Sequence, residues 1–212
     1  MSKLDDHYNR SYYESIGFRH QPNSPRNQKR LEVVLAHKQE GRLLEIGCGT
    51  GEFLKLAQKH FDVEGIDVSS YAVESSRRIF GTRVQQRNVE TQPIGVRKYD
   101  VIVVFNVLEH LWRPKKAIAA IHRGLNPGGI VVGSVPHNAG LIGRFHTLLT
   151  NIFDRSHQST YHPRRWRSLF RLQRFRNIRF FGEILLGRNR NWYLHQERWR
   201  LAAFNLMFVC EK

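Results

Sequence analysis

The sequence predicts a doubly wound α/β domain: a mostly parallel sheet of seven strands, with helices on both faces and an antiparallel C-terminal edge hairpin. Three observations carry that prediction. Short runs of aliphatic and β-branched residues alternate with segments of helical spacing, the rhythm of right-handed βαβ crossovers. The richest run, Val101-Ile102-Val103-Val104, has no polar alternation, as expected of a strand covered on both faces. The first strand-like run, Leu43-Leu44-Glu45-Ile46, ends in glycines that lead directly into a helical pattern.

The elements follow in order. The first 24 residues are polar, end near Pro22 and Pro25, and are read as an irregular arm. A helix is expected over 25–39, with Leu31, Val34 and Leu35 at helical spacing and Gly41 as its stop. Strand one is 43–46, and the helix after it, 52–60, places Phe53, Leu54 and Ala57 on one face. Strand two is 63–68, followed by a helix over 70–80 capped by Ser69 or Ser70. Strands three and four are 83–88 and 99–106, and Pro114 opens a helix running to Leu125. Asn126-Pro127-Gly128-Gly129 is a turn, and strand five, 130–135, stops at Pro136. Further on, a helix over 163–172 precedes strands at 178–186 and 201–210, which pair as a hairpin across a basic loop. The whole is read as one domain. Residues 1–40 form an arm and helix, 41–136 a ligand-binding core, 137–162 an insertion over the cleft, and 163–212 the C-terminal helix and hairpin.

Composition narrows the chemistry. Lys and Arg number 34 against 18 Asp and Glu, a formal net charge of +16. Such an excess favours an anionic partner: nucleic acid, an acidic lipid surface or an anionic small molecule. The two cysteines, Cys48 and Cys210, exclude a disulfide framework and a four-cysteine zinc site. No apolar run is long enough to span a bilayer, and the N-terminus does not read as a secretory signal, so a cytoplasmic protein is expected.

The glycines of Gly47-Cys48-Gly49-Thr50-Gly51 permit positive φ and let a ligand lie against the backbone. Taken alone they serve a nucleotide-like cofactor or merely a tight turn. Asp67 ends the second strand 20 residues after Gly47, where a carboxylate can accept from both hydroxyls of a ribose or cap the next helix. Phe53-Leu54 stand where a dinucleotide fingerprint has its third glycine, and the loop lacks the Lys and Ser/Thr of a triphosphate-binding loop.

Glu45-x-Gly47-x-Gly49-x-Gly51 with Gly65-Ile66-Asp67 resembles motifs I and II of the class I S-adenosylmethionine-dependent methyltransferases, which have a Rossmann-like fold. Tyr99-Asp100, Val107-Leu108-Glu109-His110-Leu111 and Leu125-Asn126-Pro127-Gly128-Gly129 extend the resemblance over residues 41–136. It implies S-adenosyl-L-methionine as cofactor. Gly47, Cys48, Gly49 and Gly51 would then face its methionine part, with Glu45 holding the loop or the amino group. Asp67 would bind the ribose, Val68 and Val89 the adenine ring, Asn88 the adenine amine and Asn106 the methionine end. His110 is a candidate base for an oxygen nucleophile, or a loop-ordering residue. The arm, with Tyr12, and the insertion, with His137 and His157, would choose the substrate.

Some relatives carry Glu-x-x-Glu-His after strand four and bind a divalent ion. Here the pattern is Asn106-x-x-Glu109-His110, with His157 as the distal histidine. One carboxylate is lost, so no functional metal is expected at Glu109, His110 and His157. His122 and His195 are read as surface histidines. The segment Arg164-Arg165-Trp166-Arg167 reads as an amphipathic helix burying Trp166, Leu169 and Phe170, or as a surface for bases and phosphates. The expected activity is methyl transfer to a small-molecule or lipid-linked substrate, on oxygen. An RNA methyltransferase and a non-catalytic basic binding module of the same fold are the alternatives. The oligomeric state is left open.

Overall fold

A computed structural model describes residues 8–16, 24–137, 158–186, 190–194, 203 and 205–212. Strands β1 (Arg42–Ile46), β2 (Asp62–Asp67), β3 (Val84–Gln86), β4 (Tyr99–Phe105) and β5 (Leu125–Pro136) pair in parallel. Beyond them each neighbour reverses direction: β8 (Asn205–Glu211) runs antiparallel to β5, β6 (Arg176–Leu186) antiparallel to β8, and β7 (Arg190–Leu194) antiparallel to β6. The order across the sheet is β3-β2-β1-β4-β5-β8-β6-β7. The expected hairpin is present as the β6–β8 pair. Its second strand inserts beside β5, and β7 adds an eighth strand at the edge, inside the stretch read as a basic loop.

The helices are α1 (Arg10–Ile16), α2 (Pro25–Leu35), α3 (Glu52–Ala57), α4 (Ser70–Phe80), α5 (Pro114–Gly124) and α6 (Pro163–Leu172). Alternate strand residues feed two cores. Leu43, Val101, Val103 and Phe105 meet α2, α3 and α4 through Val34, Leu54 and Val73. Leu44, Ile46, Ile102 and Val104 meet α5 and α6 through Ile118, Ile121, Trp166 and Phe170. Burying both faces of β4 accounts for its unbroken β-branched run. The amphipathic reading of α6 holds, with Trp166 and Phe170 buried and Arg164 and Arg165 exposed.

Several boundaries differ from expectation for local reasons. The arm is not wholly irregular, because Asn9 starts α1 by accepting the Tyr12 backbone N–H through Oδ1 at 3.2 Å. Ser24 caps α2 through Oγ to the Asn27 N–H, with Pro25 at the first helical position. That helix ends at Leu35 rather than 39, since the N–H groups of His37 and Lys38 both turn back to the Val34 carbonyl. The Asn126–Gly129 turn lies inside β5 as a bulge. Tyr99 pairs with Leu125 and Val101 with Ile130, so four residues of β5 loop out against one of β4. Most of the 137–162 insertion, including His157, lies outside the described residues, as does His195.

Candidate active site

The order of strand addition reverses between β1 and β4, since β2 and β3 lie to one side and β5 to the other. In open α/β sheets the crevice at the carboxyl ends of such strands is where ligands sit. Two loops frame it here: the glycine loop after β1, and the turn after β4 that begins at Asn106.

The glycine loop is held from beneath. The N–H groups of Gly47 and Cys48 donate to the Ile66 carbonyl at 2.8 and 3.2 Å, tying the loop to the neighbouring strand. Gly47, Gly49 and Gly51 have φ of +75°, +52° and +89°, a region other residues avoid. A Cβ at Gly47 would collide with Val107 Cγ2, and one at Gly51 would stand 2.8 Å from the Phe80 ring. At Gly49 the nearest atom would be Tyr13 Cε1 at 3.4 Å, an ordinary contact. Gly47→Ala is therefore expected to destabilise the fold by about 1–2 kcal/mol from backbone strain alone, plus the clash, whereas Gly49→Ala keeps only the strain. Thermal melts of the two variants check that ranking, and equal losses would contradict it.

Asp67 is buried and clamps the loop. Its Oδ2 accepts the Gly49 N–H at 2.8 Å and its Oδ1 the Ser69 N–H at 2.9 Å. Both carboxylate oxygens are thereby fixed in direction. The cap of α4 is Ser69, whose Oγ accepts the Ala72 N–H at 3.1 Å. Ser69 Oγ also donates to the Tyr8 carbonyl, fastening the arm to this corner. Cys48 is buried against Gly65, where a Cβ would stand 2.9 Å from its sulfur. Burial pushes its thiol well above the usual range.

Glu45 and Asn106 complete the far wall. Glu45 is buried, with the Leu54 backbone of α3 near enough to favour its charged form. Burial drives its carboxyl well above the usual range, against the pull of the Arg30 charge. Asn106 has φ of +54°, donates its N–H to the Ser134 carbonyl at 3.0 Å, and accepts the Ser134 hydroxyl through Oδ1. Arg30 from α2 reaches the same hydroxyl through Nη2 at 3.4 Å and lies 4.3 Å above the Phe105 ring.

The remaining predicted residues are spread around this crevice. Val68 is half-buried, and its carbonyl accepts Gln86 Nε2 at 2.9 Å. Asn88 Oδ1 already accepts the Glu90 N–H at 2.9 Å, so an adenine amine would use its second lone pair. Val89 is buried in the core with Ile66 and Ile94. Glu109 is buried and His110 lies beside it, Nε2 3.9 Å from Oε1, with the Tyr8 ring edge-on at 6.1 Å. Tyr12 stacks edge-on between Tyr8 and Tyr13, at 5.0 and 5.3 Å. His137 is buried just past the end of β5. Among the described residues no three His, Cys, Asp or Glu side chains form a metal-holding group. No described helix is long and apolar enough to cross a membrane.

Tyr13, Arg30 and Ser134 belong to the site but escaped the sequence reading. Tyr13 covers Gly49, and burial, then the nearby Asp67 charge, drive its hydroxyl far above the usual range. Its one sequence signal is the Asn9 cap, which places Tyr12 and Tyr13 on a helix.

Comparison with known proteins agrees with this geometry. A probable S-adenosylmethionine-dependent methyltransferase of Mycolicibacterium smegmatis is 36% identical over 115 residues, 51% of this chain and 45% of that protein. A ubiquinone biosynthesis O-methyltransferase of Bordetella avium is 31% identical over 115 residues, 50% of this chain and 48% of that one. The chain spans about half the length of the curated relatives it matches. A SAM-dependent methyltransferase structure from Archaeoglobus fulgidus superposes with a TM-score of 0.72 at 18% identity, covering 96% of this chain and all of that one, a likeness of fold. The family described as Methyltransferase domain matches residues 18–179, far more than half of the sequence. With the glycine cradle at the switch point, a match of that extent makes this chain a member of the methyltransferase-domain family.

Proposed function

We propose that this chain transfers a methyl group from S-adenosyl-L-methionine to an oxygen atom of a small-molecule or lipid-linked substrate. The observation that carries the reading is the glycine cradle fixed by Asp67: positive-φ glycines open the backbone to a ligand, and a buried carboxylate beside them stands ready for a ribose. The donor set fits the cofactor. Gly47 to Gly51 hold the methionine part, the Asp67 carboxylate receives the ribose hydroxyls, and Val68 and Asn88 border the adenine. Because Asn106 Oδ1 is taken by Ser134, the Asn106 amide meets a ligand as a donor. The same bond supports the expectation that no metal is used here, since the oxygen in the place of the lost carboxylate is already engaged.

When bound, the cofactor supplies a methyl group on an activated sulfonium. The work of the chain is then to place the nucleophile in line and exclude water. His110 takes the proton of the substrate hydroxyl, and the Glu109 carboxylate 3.9 Å away stabilises the imidazolium that results. Tyr12 and His137, with His157 of the insertion, contact the substrate. The O-methyltransferase relative of Bordetella avium supports oxygen as the atom methylated. So does the lack of an Asn/Asp-Pro-Pro-Tyr motif for amine methylation.

Calorimetry with S-adenosylmethionine, followed by radiolabelled methyl transfer into metabolite and lipid extracts, tests the reading; no cofactor binding would end it. His110→Ala is expected to lower turnover by about 10²–10⁴-fold while the cofactor dissociation constant stays within twofold. Unchanged turnover would remove His110 from the chemistry.

A further inference from the structure

Between Glu109 and Glu183 the described residues, 110–137 and 158–182, carry eleven Lys and Arg and no Asp or Glu. These cations gather on one layer. α5 buries Ala117, Ile118 and Ile121, and α6 buries Trp166 and Phe170, in the same core cluster, so both helices cover the same face of the sheet. Their outward positions are then cationic: Lys115 and Lys116 on α5, and Arg164, Arg165 and Arg171 on α6, all exposed. The helices of the opposite face differ. There acids interleave with cations and pair with them, as in Lys29–Glu32 at 2.6 Å and Arg78–Glu74 at 3.7 Å.

Two large apolar side chains stand out from this basic layer. Trp112, just ahead of α5, is 70% exposed, and Leu172, the last residue of α6, is 63% exposed. Neither is explained by the core. Trp112 also lies two residues past His110, so the layer borders the mouth of the crevice.

We infer that the outer layer of α5 and α6 docks on an anionic lipid surface, with the arginines and lysines against headgroup phosphates and Trp112 and Leu172 in the interface. Phosphate groups complement a cationic layer whose two helices carry no acid. Indole rings settle at headgroup level and aliphatic side chains just below it, which uses both exposed residues. A nucleic acid would use the cations and stack on Trp112 but leaves Leu172 without a role. Docking in this orientation sets the crevice beside the bilayer, where a lipid-linked acceptor would be found. The inference concerns a surface outside the cofactor site and stands or falls separately from the proposed reaction.

Co-sedimentation with vesicles of equal parts phosphatidylglycerol and phosphatidylcholine tests it, against vesicles of phosphatidylcholine alone. Binding is expected to the anionic vesicles only, and to weaken as salt is raised. The triple variant R164Q/R165Q/R171Q is expected to lose roughly a hundredfold in partitioning, at roughly fivefold for each cation removed. Brominated phosphatidylglycerol should quench the wild-type tryptophan fluorescence more than that of W112F. Calorimetry with S-adenosylmethionine on the triple variant should give wild-type affinity, showing that the fold is intact and separating this result from the fate of the proposed reaction. Equal binding to neutral vesicles, no binding to either, or full binding by the triple variant would overturn the inference. Binding to a single-stranded RNA oligonucleotide without binding to anionic vesicles would overturn it too, and give the face to nucleic acid.

Discussion

Asp67→Ala is expected to weaken S-adenosylmethionine binding by about 2–4 kcal/mol, roughly 30- to 1000-fold, through loss of two charge-assisted hydrogen bonds to the ribose. The structure adds a second effect that the sequence motif does not announce. The same carboxylate accepts the Gly49 and Ser69 N–H groups, both in buried surroundings. Removing it leaves two backbone donors without their acceptor, at about 1–3 kcal/mol each. The variant should therefore melt several degrees lower even without cofactor, at roughly 2–4 °C per kcal/mol for a chain of this size. Binding is best measured by calorimetry well below the variant's melting temperature. A lowered melting temperature with unchanged affinity would make Asp67 a clamp of the glycine loop and nothing more. Asp67→Asn separates the two roles, since it keeps one carbonyl oxygen but turns an amide N–H₂ toward Gly49 or Ser69.

The parallel half of the fold could be read because its signals are local. The strands β1, β4 and β5 of 41–136 carry apolar runs, two of the crossover helices have their own cap or proline, and the glycine loop announces itself by composition. Ser69 and Pro114 mark helix starts in the sequence just as they do in the structure. The helix α1 could not be read in this way. Its residues have no apolar stripe, and Tyr12 and Tyr13 find their partners across the fold: Tyr13 lies 5.8 Å from Tyr71 and against Gly49. Arg30 was hidden for the opposite reason. On a helix whose apolar positions are Leu31 and Val34, a neighbouring arginine reads as a solvated residue, and its partner Ser134 is 104 residues away in sequence. Charge on α6 was visible in the sequence, but its setting was not. Only the packing of α5 beside α6 gathers their cations into one layer.

Arg30→Met is expected to destabilise the fold by about 3–5 kcal/mol at neutral pH, the usual loss when one partner of a buried charged group is removed. Arg30 is only 9% exposed, and its charge acts on two buried carboxylates, Glu45 and Glu183. Burial pushes Glu45 up and Arg30 opposes it. Burial also acts to raise Glu183, but Arg26, Arg30 and the amide of Asn205 together hold it below the usual carboxylate range. The two acids depend on pH in opposite ways. Glu45, raised in the folded state, contributes stability that is complete below the ordinary carboxylate range and is lost as pH rises through its folded value. Glu183, depressed, contributes stability present above that range and lost as pH falls through its folded value. Without Arg30, Glu45 rises further and Glu183 loses part of its depression, and both changes weaken the fold most where the acids are ionised. The gap in melting temperature between wild type and variant should therefore widen as pH rises through the ordinary carboxylate range, where Glu183 ionises, and above it, where Glu45 does. Arg30→Lys keeps the charge but not the planar stack on Phe105 at 4.3 Å, so it should narrow that widening and retain a smaller, pH-independent loss. A gap that is constant with pH in Arg30→Met would reduce Arg30 to a packing residue. If the gap does widen, Asn106 should feel the change as well. Its amide is oriented by Ser134, whose hydroxyl Arg30 holds, so cofactor affinity should fall with stability even though Arg30 is a positioning residue at one remove from the ligand.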